Sequence, residues 1–227
     1  MALALTLGER VDAFRAHVDQ VVAAEGRPAG AVTILGVTKT HPRAAVLAAI
    51  AAGITDVGEN YLQEAREKYA DLPPVRKHFI GHIQTNKAKA IAAGFDVVQS
   101  VDRLDAGLAL AKAGGTLGHA PRVLIQVNVS PTERFGVAPS EAPALARRLR
   151  DEGLTVDGVM AIGPLEGNVD AAFAQAQSAF AAVGGNTLSL GMSADWERAI
   201  HFGSTMIRVG TAIFGPRETR EKERESV

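Results

Sequence analysis

The sequence contains no cysteine, which excludes disulfide bonds, iron–sulfur clusters, thiolate zinc sites and cysteine nucleophiles together. It also lacks an excess of charge of either sign, because 24 basic and 25 acidic side chains give a formal net charge of −1. Without a basic surface to attract phosphate backbones, nucleic acid is not expected as a partner. No apolar run reaches membrane-spanning length, and charge begins at Glu9 and Arg10, too early for a signal peptide. We therefore expect a cytoplasmic protein with no membrane partner.

Apolar residues, in contrast, are abundant enough for a large core. They make up 47% of the 227 residues, which excludes general disorder. The segment PRETREKERESV at the end of the sequence differs, since acidic and basic side chains dominate it. We expect residues 1–215 to form the folded domain and residues 216–227 to form a charged, solvated tail.

Eight short apolar runs recur along the chain, and most are followed by a helical pattern that ends near glycine. We predict strands at 31–38, 54–59, 77–82, 95–101, 122–129, 156–162, 187–191 and 205–210. A further amphipathic stretch, from about Leu5 to Ala24, precedes the first strand. Eight strand-then-helix units in about 215 residues stand at the lower limit for a closed barrel. The sequence thus predicts an α/β protein, a single (β/α)₈ TIM barrel with an extra N-terminal helix.

Functional residues of such barrels lie where the strands end. Lys39 follows the first strand, and partial loss of hydration there favours an uncharged, nucleophilic amine that can form an imine. The alternative is a lysine whose stem lies along the rim with its charge in water.

Residues after the last two strands form a second group. Ser193, Gly210 and Thr211 stand where barrels commonly bind phosphate through backbone N–H groups. The alternative is that Ser193 is the N-cap of the next helix and Gly210 a turn glycine.

Arg208 lies inside the last predicted strand. Alternation places it on the same face as Met206 and Gly210, so the guanidinium is expected to point inward. A buried guanidinium needs an acceptor, and it either pairs with a carboxylate such as Glu59 or serves a bound ligand.

Together these features suit one ligand, pyridoxal 5′-phosphate. Its aldehyde needs the lysine, its phosphate needs backbone donors, and its pyridine nitrogen needs a polar partner. An arginine in the last role disfavours protonation of the ring nitrogen and weakens the electron sink that carbanion chemistry uses. Demanding catalysis is therefore not expected.

Two further residue types have competing interpretations. His78 and His82 share a face if their segment is a strand, but about 13 Å then separates them, too far for one metal ion. No metal site is predicted, and packing or ligand contact is expected for His82. Tyr61 is either an acid–base group near the ligand or a packing residue at the start of a helix.

Several motifs spread over nearly the whole chain resemble those of the pyridoxal phosphate homeostasis protein family: GVTKTHP, GENYLQE, HFIGHIQTNK, QSVDR, VLIQVNVS, LSLGMSADWERAI and GSTMIRVGTAIFG. The resemblance implies the barrel fold of the alanine racemase N-terminal domain, a monomer, covalently bound cofactor and no established enzymatic activity. It also implies a role in balancing vitamin B6 vitamers and in supplying cofactor to apo-forms of pyridoxal-phosphate-dependent enzymes.

The resemblance also assigns the cofactor-binding residues by motif: Lys39, Asn60, Ser193, Arg208, Gly210 and Thr211. In this assignment the lysine forms the imine, the asparagine lies near the ring and the arginine faces the pyridine nitrogen. The remaining three bind the phosphate. The chain departs from many relatives at His41 and Arg134, where they have lysine, and this puts in doubt any transfer route that relies on those amines.

Two enzymatic alternatives stay open from the sequence. An amino-acid racemase using the same cofactor needs a second acid–base group opposite Lys39, and Tyr61 is the only tyrosine placed near the pocket. The barrel also leaves no length for the additional domain that completes such sites. A barrel aldolase would use Lys39 on a sugar phosphate without a bound cofactor. We expect a non-catalytic pyridoxal-phosphate-binding protein with no catalytic residues.

Overall fold

A computed structural model describes residues 5–132, 134–164 and 166–215, so the predicted tail at 216–227 lies outside the described residues. Eight parallel strands pair in chain order and close into a barrel, because the first strand also pairs with the last. They are β1 Thr33–Val37, β2 Asp56–Glu59, β3 Arg76–Phe79, β4 Val97–Val101, β5 Arg122–Val127, β6 Val156–Ala161, β7 Thr187–Ser189 and β8 Met206–Val209. The predicted barrel is confirmed, and apart from Arg76 every strand residue lies within the run predicted for it.

Helices alternate with the strands: α1 Leu7–Ala24, α2 Arg43–Ala51, α3 Leu62–Lys68, α4 Ala88–Gly94, α5 Leu104–Leu117, α6 Ala142–Asp151, α7 Val169–Val183, α8 Trp196–His201 and α9 Thr211–Phe214. A 3₁₀ turn at Thr85–Lys87 precedes α4. The extra helix α1 begins at a capping box, in which the Thr6 hydroxyl accepts from the Glu9 N–H and the Glu9 carboxylate accepts from the Thr6 N–H. Of the helices described here, none combines the length and the hydrophobicity that a membrane span requires.

The main apolar core lies between the barrel and its helices. Strand residues such as Val57, Val98 and Ile207 belong to the same buried cluster as Val46 of α2 and Leu110 of α5. Strands covered in this way are buried on both faces, which explains why they are near-continuous apolar runs in the sequence.

The barrel interior is partly polar. Gln99 of β4 and Ser189 of β7 hydrogen-bond to each other although their strands are not neighbours, so their side chains meet inside the barrel. Both residues are buried, as is Arg208 of β8, which contacts the same serine. The alternation predicted for β8 is thus confirmed, with Arg208 facing inward.

Candidate functional site

A cavity of about 180 Å³ lies at the carboxyl-terminal ends of the strands. Its lining includes all six residues that the sequence assigned to the cofactor: Lys39, Asn60, Ser193, Arg208, Gly210 and Thr211. Five apolar side chains complete most of its wall: Val37, Ile80, Met160, Ile162 and Met192. The barrel therefore brings together polar groups from four motifs that are far apart in sequence.

His41 and Arg134, the two positions where the resemblance leads us to expect lysine in relatives, lie in different places. His41 lines this cavity and stacks on Phe214, with ring centroids 4.7 Å apart. Arg134 instead lines a neighbouring, more open groove of about 470 Å³ that shares Ile162 with the cavity.

The segment that carries Lys39 is held on both sides by side chains of α3. The carbonyl of Thr38 accepts a hydrogen bond from Lys68 Nζ at 2.8 Å. On the other side, Thr40 has a left-handed backbone (φ 66°), and its N–H donates to Glu64 Oε2 at 3.0 Å. A β-branched residue rarely adopts this conformation, so the contacts with α3 must hold the turn. They keep Lys39 at the cavity, where it is partly buried.

Beneath this segment lies a buried ionic group, which we call the Lys68 cluster: Lys68, Glu59 and Glu64. Lys68 Nζ lies 2.9 Å from Glu59 Oε2 and also contacts Glu64. Together with the Thr38 carbonyl, these acceptors occupy the three N–H donors of the ammonium group. These contacts commit Lys68 to the cluster, and Lys39 is the lysine that lines the cavity.

Tyr69 packs against the same group. Its hydroxyl lies 2.8 Å from Thr38 Oγ1, and burial raises the pKa of Tyr69 far above its usual value. The phenol therefore remains protonated at neutral pH and cannot act as a base.

Arg208 is 5% exposed and makes no pair with Glu59, which pairs with Lys68 instead. The predicted alternative of an Arg208–Glu59 pair is therefore wrong. The guanidinium donates from Nη1 to the carbonyl and hydroxyl oxygens of Ser189, both at 2.8 Å, and from Nη2 to the carbonyl of Ala161 at 2.7 Å. Burial lowers the pKa of Arg208 to about 10, even though Asp195 acts in the opposite direction, so the group is charged at neutral pH.

Two N–H donors of Arg208 are left for a ligand. A guanidinium carries five N–H donors, and three hydrogen bonds occupy three of them. Within residues 5–132, 134–164 and 166–215, the N–H at Nε and one N–H at Nη2 have no protein acceptor.

Ser193 lies at the tip of the loop between β7 and α8. The loop is closed by two hydrogen bonds: Met192 N–H donates to Asp195 Oδ1 at 2.6 Å, and Asp195 N–H donates to the Met192 carbonyl at 3.1 Å. Asp195 directly precedes α8 and is its N-cap residue. Ser193 is exposed and lies two residues before Asp195 in the sequence. The predicted alternative that Ser193 is the N-cap is therefore wrong.

Gly210 has no structural need to be glycine in its own environment. Its φ is −114°, which other residues adopt, and a Cβ placed there would meet its closest described neighbour, the Val37 carbonyl oxygen, at an ordinary 3.5 Å. Gly210 and Thr211 line the cavity, and the first N–H groups of α9 lack intrahelical acceptors. A ligand that approaches the backbone closely is a physical reason for glycine at this position.

Asn60 carries an unsatisfied acceptor. Its Oδ1 is buried and has no hydrogen-bond partner in the described part of the chain. The backbone here is fixed, because Asn60 N–H donates to Glu59 Oε1 at 2.8 Å and Gly81 passes so close that a Cβ would lie 2.0 Å from the Asn60 carbonyl oxygen. A buried acceptor left without a donor is costly unless a ligand supplies one.

The structure does not bring Tyr61 into the cavity. Tyr61 is 58% exposed, precedes α3 and lines a separate groove with Lys87. The histidines also separate: β3 ends at Phe79, so the expectation that His78 and His82 share a strand face is wrong. His82 is exposed and packs against Phe135 with ring centroids 4.1 Å apart. Among the residues described, no three potential metal ligands cluster.

Sequence reasoning missed the Lys68 cluster and the interior contacts of Arg208. The spacing of Glu64 and Lys68, four residues apart on one helix face, was a usable signal for a local ion pair. No spacing indicated that Glu59, nine residues before Lys68, would join them.

The chemistry of the cavity fits the predicted cofactor. Apolar walls suit an aromatic ring, the Lys39 amine suits an aldehyde, and the remaining N–H groups of Arg208 suit an acceptor nitrogen. The orphaned Asn60 oxygen requires a donor, and the open approach at Gly210 suits an anionic group.

The chain is similar to known proteins over most of its length. The family model described as alanine racemase, N-terminal domain, matches residues 10–218. A protein of Pseudomonas aeruginosa named pyridoxal phosphate homeostasis protein is 41% identical over 222 residues, covering 94% of this chain and 96% of that protein. One of the same name from Deinococcus radiodurans is 37% identical over 207 residues, covering 90% and 99%. The solved structure of PipY from Synechococcus elongatus with pyridoxal phosphate bound is 33% identical, covers 92% of this chain and 100% of its own, and gives a TM-score of 0.81.

Proposed function

The chain belongs to the pyridoxal phosphate homeostasis protein family, and from this membership we propose that it binds pyridoxal 5′-phosphate as an imine on Lys39 and takes part in homeostasis of the cofactor and its B6 vitamers. The proposal includes release of the cofactor to apo-forms of enzymes that use it. It describes a cytoplasmic monomer that stores and delivers a ligand and does not convert a substrate.

One observation carries the proposal: a single cavity collects a lysine amine, an inward-facing arginine and the loops after β7 and β8. Each of these groups suits a different part of the same ligand. The unsatisfied Oδ1 of Asn60 in the same lining supports a bound ligand that donates a hydrogen bond.

Each residue has a proposed role. When bound, the cofactor supplies an aldehyde that reacts reversibly with primary amines. Lys39 provides that amine, and the Lys68 cluster holds the backbone on either side of it. Arg208 donates an N–H to the pyridine nitrogen. Ser193, Gly210 and Thr211 bind the phosphate through hydroxyl and backbone donors.

Two observations support a non-catalytic role over a racemase. Racemisation needs proton transfer on both faces of the ligand plane, and Tyr61 lies outside the cavity. Arg208 is a buried cation at neutral pH, and a cation beside the pyridine nitrogen opposes the ring protonation that stabilises carbanions.

The covalent site is tested by borohydride reduction followed by peptide mass spectrometry. We expect purified protein incubated with pyridoxal 5′-phosphate to carry one reduced adduct, on the peptide that contains Lys39. Lys39→Ala should lose this adduct and the visible absorption of the imine. Lys87→Ala, which changes an exposed lysine in the groove that Tyr61 lines, should keep both. Stoichiometric labelling of Lys39→Ala would refute the proposed attachment.

The absence of turnover needs a separate measurement. Loaded protein is incubated with single-enantiomer amino acids in deuterated water, and α-deuterium is measured by mass spectrometry. We expect no incorporation above that of free cofactor. Incorporation that Lys39→Ala abolishes would show that the protein is an enzyme.

A further inference from the structure

Inside the barrel, Arg208 is the first member of a chain of buried side chains. The Ser189 hydroxyl contacts Arg208 Nη1 at 2.8 Å and Gln99 Oε1 at 2.7 Å. Gln99 Nε2 lies 2.9 Å from His78 Nδ1, and His78 Nε2 lies 2.9 Å from Asp56 Oδ1. Because Asp56 is the first residue of β2 and Ser189 the last of β7, the chain runs along the barrel from the cavity to the opposite end.

The direction of the hydrogen bonds follows from the arginine and from the orientation of the Gln99 amide, whose Oε1 faces Ser189. Arginine can only donate and an amide oxygen can only accept, so Ser189 Oγ accepts from Arg208 and gives its own hydrogen to Gln99 Oε1. The Gln99 amide then presents its NH₂ to His78 and also to Met206 Sδ at 3.1 Å. His78 Nδ1 must therefore accept, which places the ring hydrogen on Nε2, where it is donated to Asp56.

All the members are almost fully buried: Ser189 and Gln99 are 0% exposed, His78 1% and Asp56 2%. A buried polar network in which each group is satisfied holds its members in one arrangement, and reversing one bond would leave donors facing donors. The chain ends at a carboxylate that also accepts from Thr55 Oγ1 at 2.7 Å.

From this geometry we propose that Ser189 and Gln99 are positioning residues for Arg208, a step that rests on the proposed function. The one-way chain commits the Ser189 hydrogen to Gln99, so the serine oxygen always accepts from Nη1. With Nη1 held in this way and Nη2 held by Ala161, the guanidinium keeps one orientation and its remaining N–H donors stay available to the acceptor nitrogen of a pyridine ring. Specificity for a ring with an unprotonated nitrogen therefore depends on residues that do not touch the ligand.

The first test uses the protein without added cofactor and does not depend on any variant. ¹⁵N NMR of the histidine rings should show His78 as the neutral tautomer with hydrogen on Nε2. A His78 resonance pattern with hydrogen on Nδ1 would overturn the proposal, since Gln99 would then present its NH₂ to a donor.

The second test compares ligands across variants. We expect Ser189→Ala and Gln99→Leu to weaken equilibrium binding of pyridoxal 5′-phosphate by roughly tenfold, the usual effect of losing a hydrogen bond to a charged group. For the 1-deaza analogue, in which C–H replaces the ring nitrogen, the same substitutions should change affinity less than about twofold. A merely structural role would weaken both ligands alike.

Ser204→Ala is the matched control. Ser204 is also 0% exposed, and its hydroxyl contacts the carbonyls of Leu188, Leu190 and Met206 without contacting Arg208. This variant should lose thermal stability yet bind both ligands as the wild type does. Equal affinities for Ser189→Ala, Gln99→Leu and Ser204→Ala would overturn the proposal. If the wild-type protein itself binds no cofactor, the proposed function fails instead. The His78 tautomer still shows whether the hydrogen bonds from Arg208 to Asp56 run in the proposed direction.

Discussion

Replacing Lys68 by methionine should destabilise the protein strongly, because it leaves a charge buried. Methionine keeps most of the apolar stem, so the main loss is the ammonium group. Glu59 is 0% exposed and would keep three nearby donors: the Asn60 N–H at 2.8 Å, the Tyr61 N–H at 3.3 Å and the Thr38 hydroxyl at 3.1 Å. Removing one partner of a buried ion pair lowers the free energy of unfolding by about 3–5 kcal/mol. Because Glu59 keeps other hydrogen-bond donors, we expect a loss of about 3 kcal/mol here. For a chain of this size that corresponds to a fall in Tm of roughly 6–12 °C.

The assay is thermal unfolding by circular dichroism, with urea unfolding to obtain the free energy. The double variant Lys68→Met with Glu59→Gln should recover at least half of the loss, since it removes the unpaired charge as well. Lys89→Met, which changes an exposed lysine of α4, is the control and should stay within about 0.5 kcal/mol of wild type. A Lys68→Met variant within about 1 kcal/mol of wild type, or a double variant as unstable as the single one, would refute the reasoning.

The same substitution separates stability from ligand binding. Lys68 also holds the Thr38 carbonyl beside Lys39, and no side chain of the double variant replaces that contact. Cofactor affinity should therefore remain weakened in the double variant even where the free energy of unfolding recovers. Wild-type affinity in the double variant would show that the Lys68 cluster does not position the Lys39 segment.

Three further predictions concern other parts of the barrel. Burial alone would raise the pKa of Asp56, but hydrogen bonds from His78 and Thr55, together with the charges of His78 and Arg76, outweigh it and the pKa is lowered. The stabilisation is therefore present above the ordinary carboxyl pKa and is lost as pH falls through the folded value. Urea unfolding between about pH 6 and pH 3 should show a shallower loss of stability in Asp56→Asn than in wild type, and equal slopes would contradict this assignment. Gly81→Ala should destabilise by several kcal/mol and weaken cofactor binding, because its Cβ would lie 2.0 Å from the Asn60 carbonyl oxygen; unchanged Tm and affinity would exclude that close approach. Gly115→Ala lies inside α5, where the new Cβ would meet nothing within 4 Å apart from its chain neighbours and the adjacent backbone of the helix. It should instead raise the free energy of unfolding in urea by about 0.5–1 kcal/mol, and a lower value would show an unrecognised constraint.

The barrel could be predicted because its physical requirements leave marks in the chain itself. Parallel strands that are buried on both faces are rich in apolar residues, and most of the helices that follow them end near glycine. The inward orientation of Arg208 followed from the two-residue period of a strand. These are local properties, and they need no knowledge of which elements become neighbours.

The partners of the buried polar groups could not be predicted in this way. The sequence suggested Arg208 as a partner of Glu59, whereas the structure pairs Glu59 with Lys68, and this pairing depends on how α3 packs against the ends of β1 and β2. The position of Ser193 likewise depended on where α8 begins, which Asp195 and its contacts with Met192 decide.

The residues and their order alone predict the eight-stranded barrel, the lysine after its first strand and the small residues after its last two strands. The three-dimensional packing alone decides that Lys39 lies at the cavity while Lys68 is paired with Glu59 and Glu64 beneath it, that Asn60 keeps an unsatisfied oxygen, and that Arg208 is oriented from across the barrel. The physical reason is that backbone pattern and strand order follow from short-range preferences, whereas the partner of a buried charge is chosen among groups that meet only after the barrel has closed.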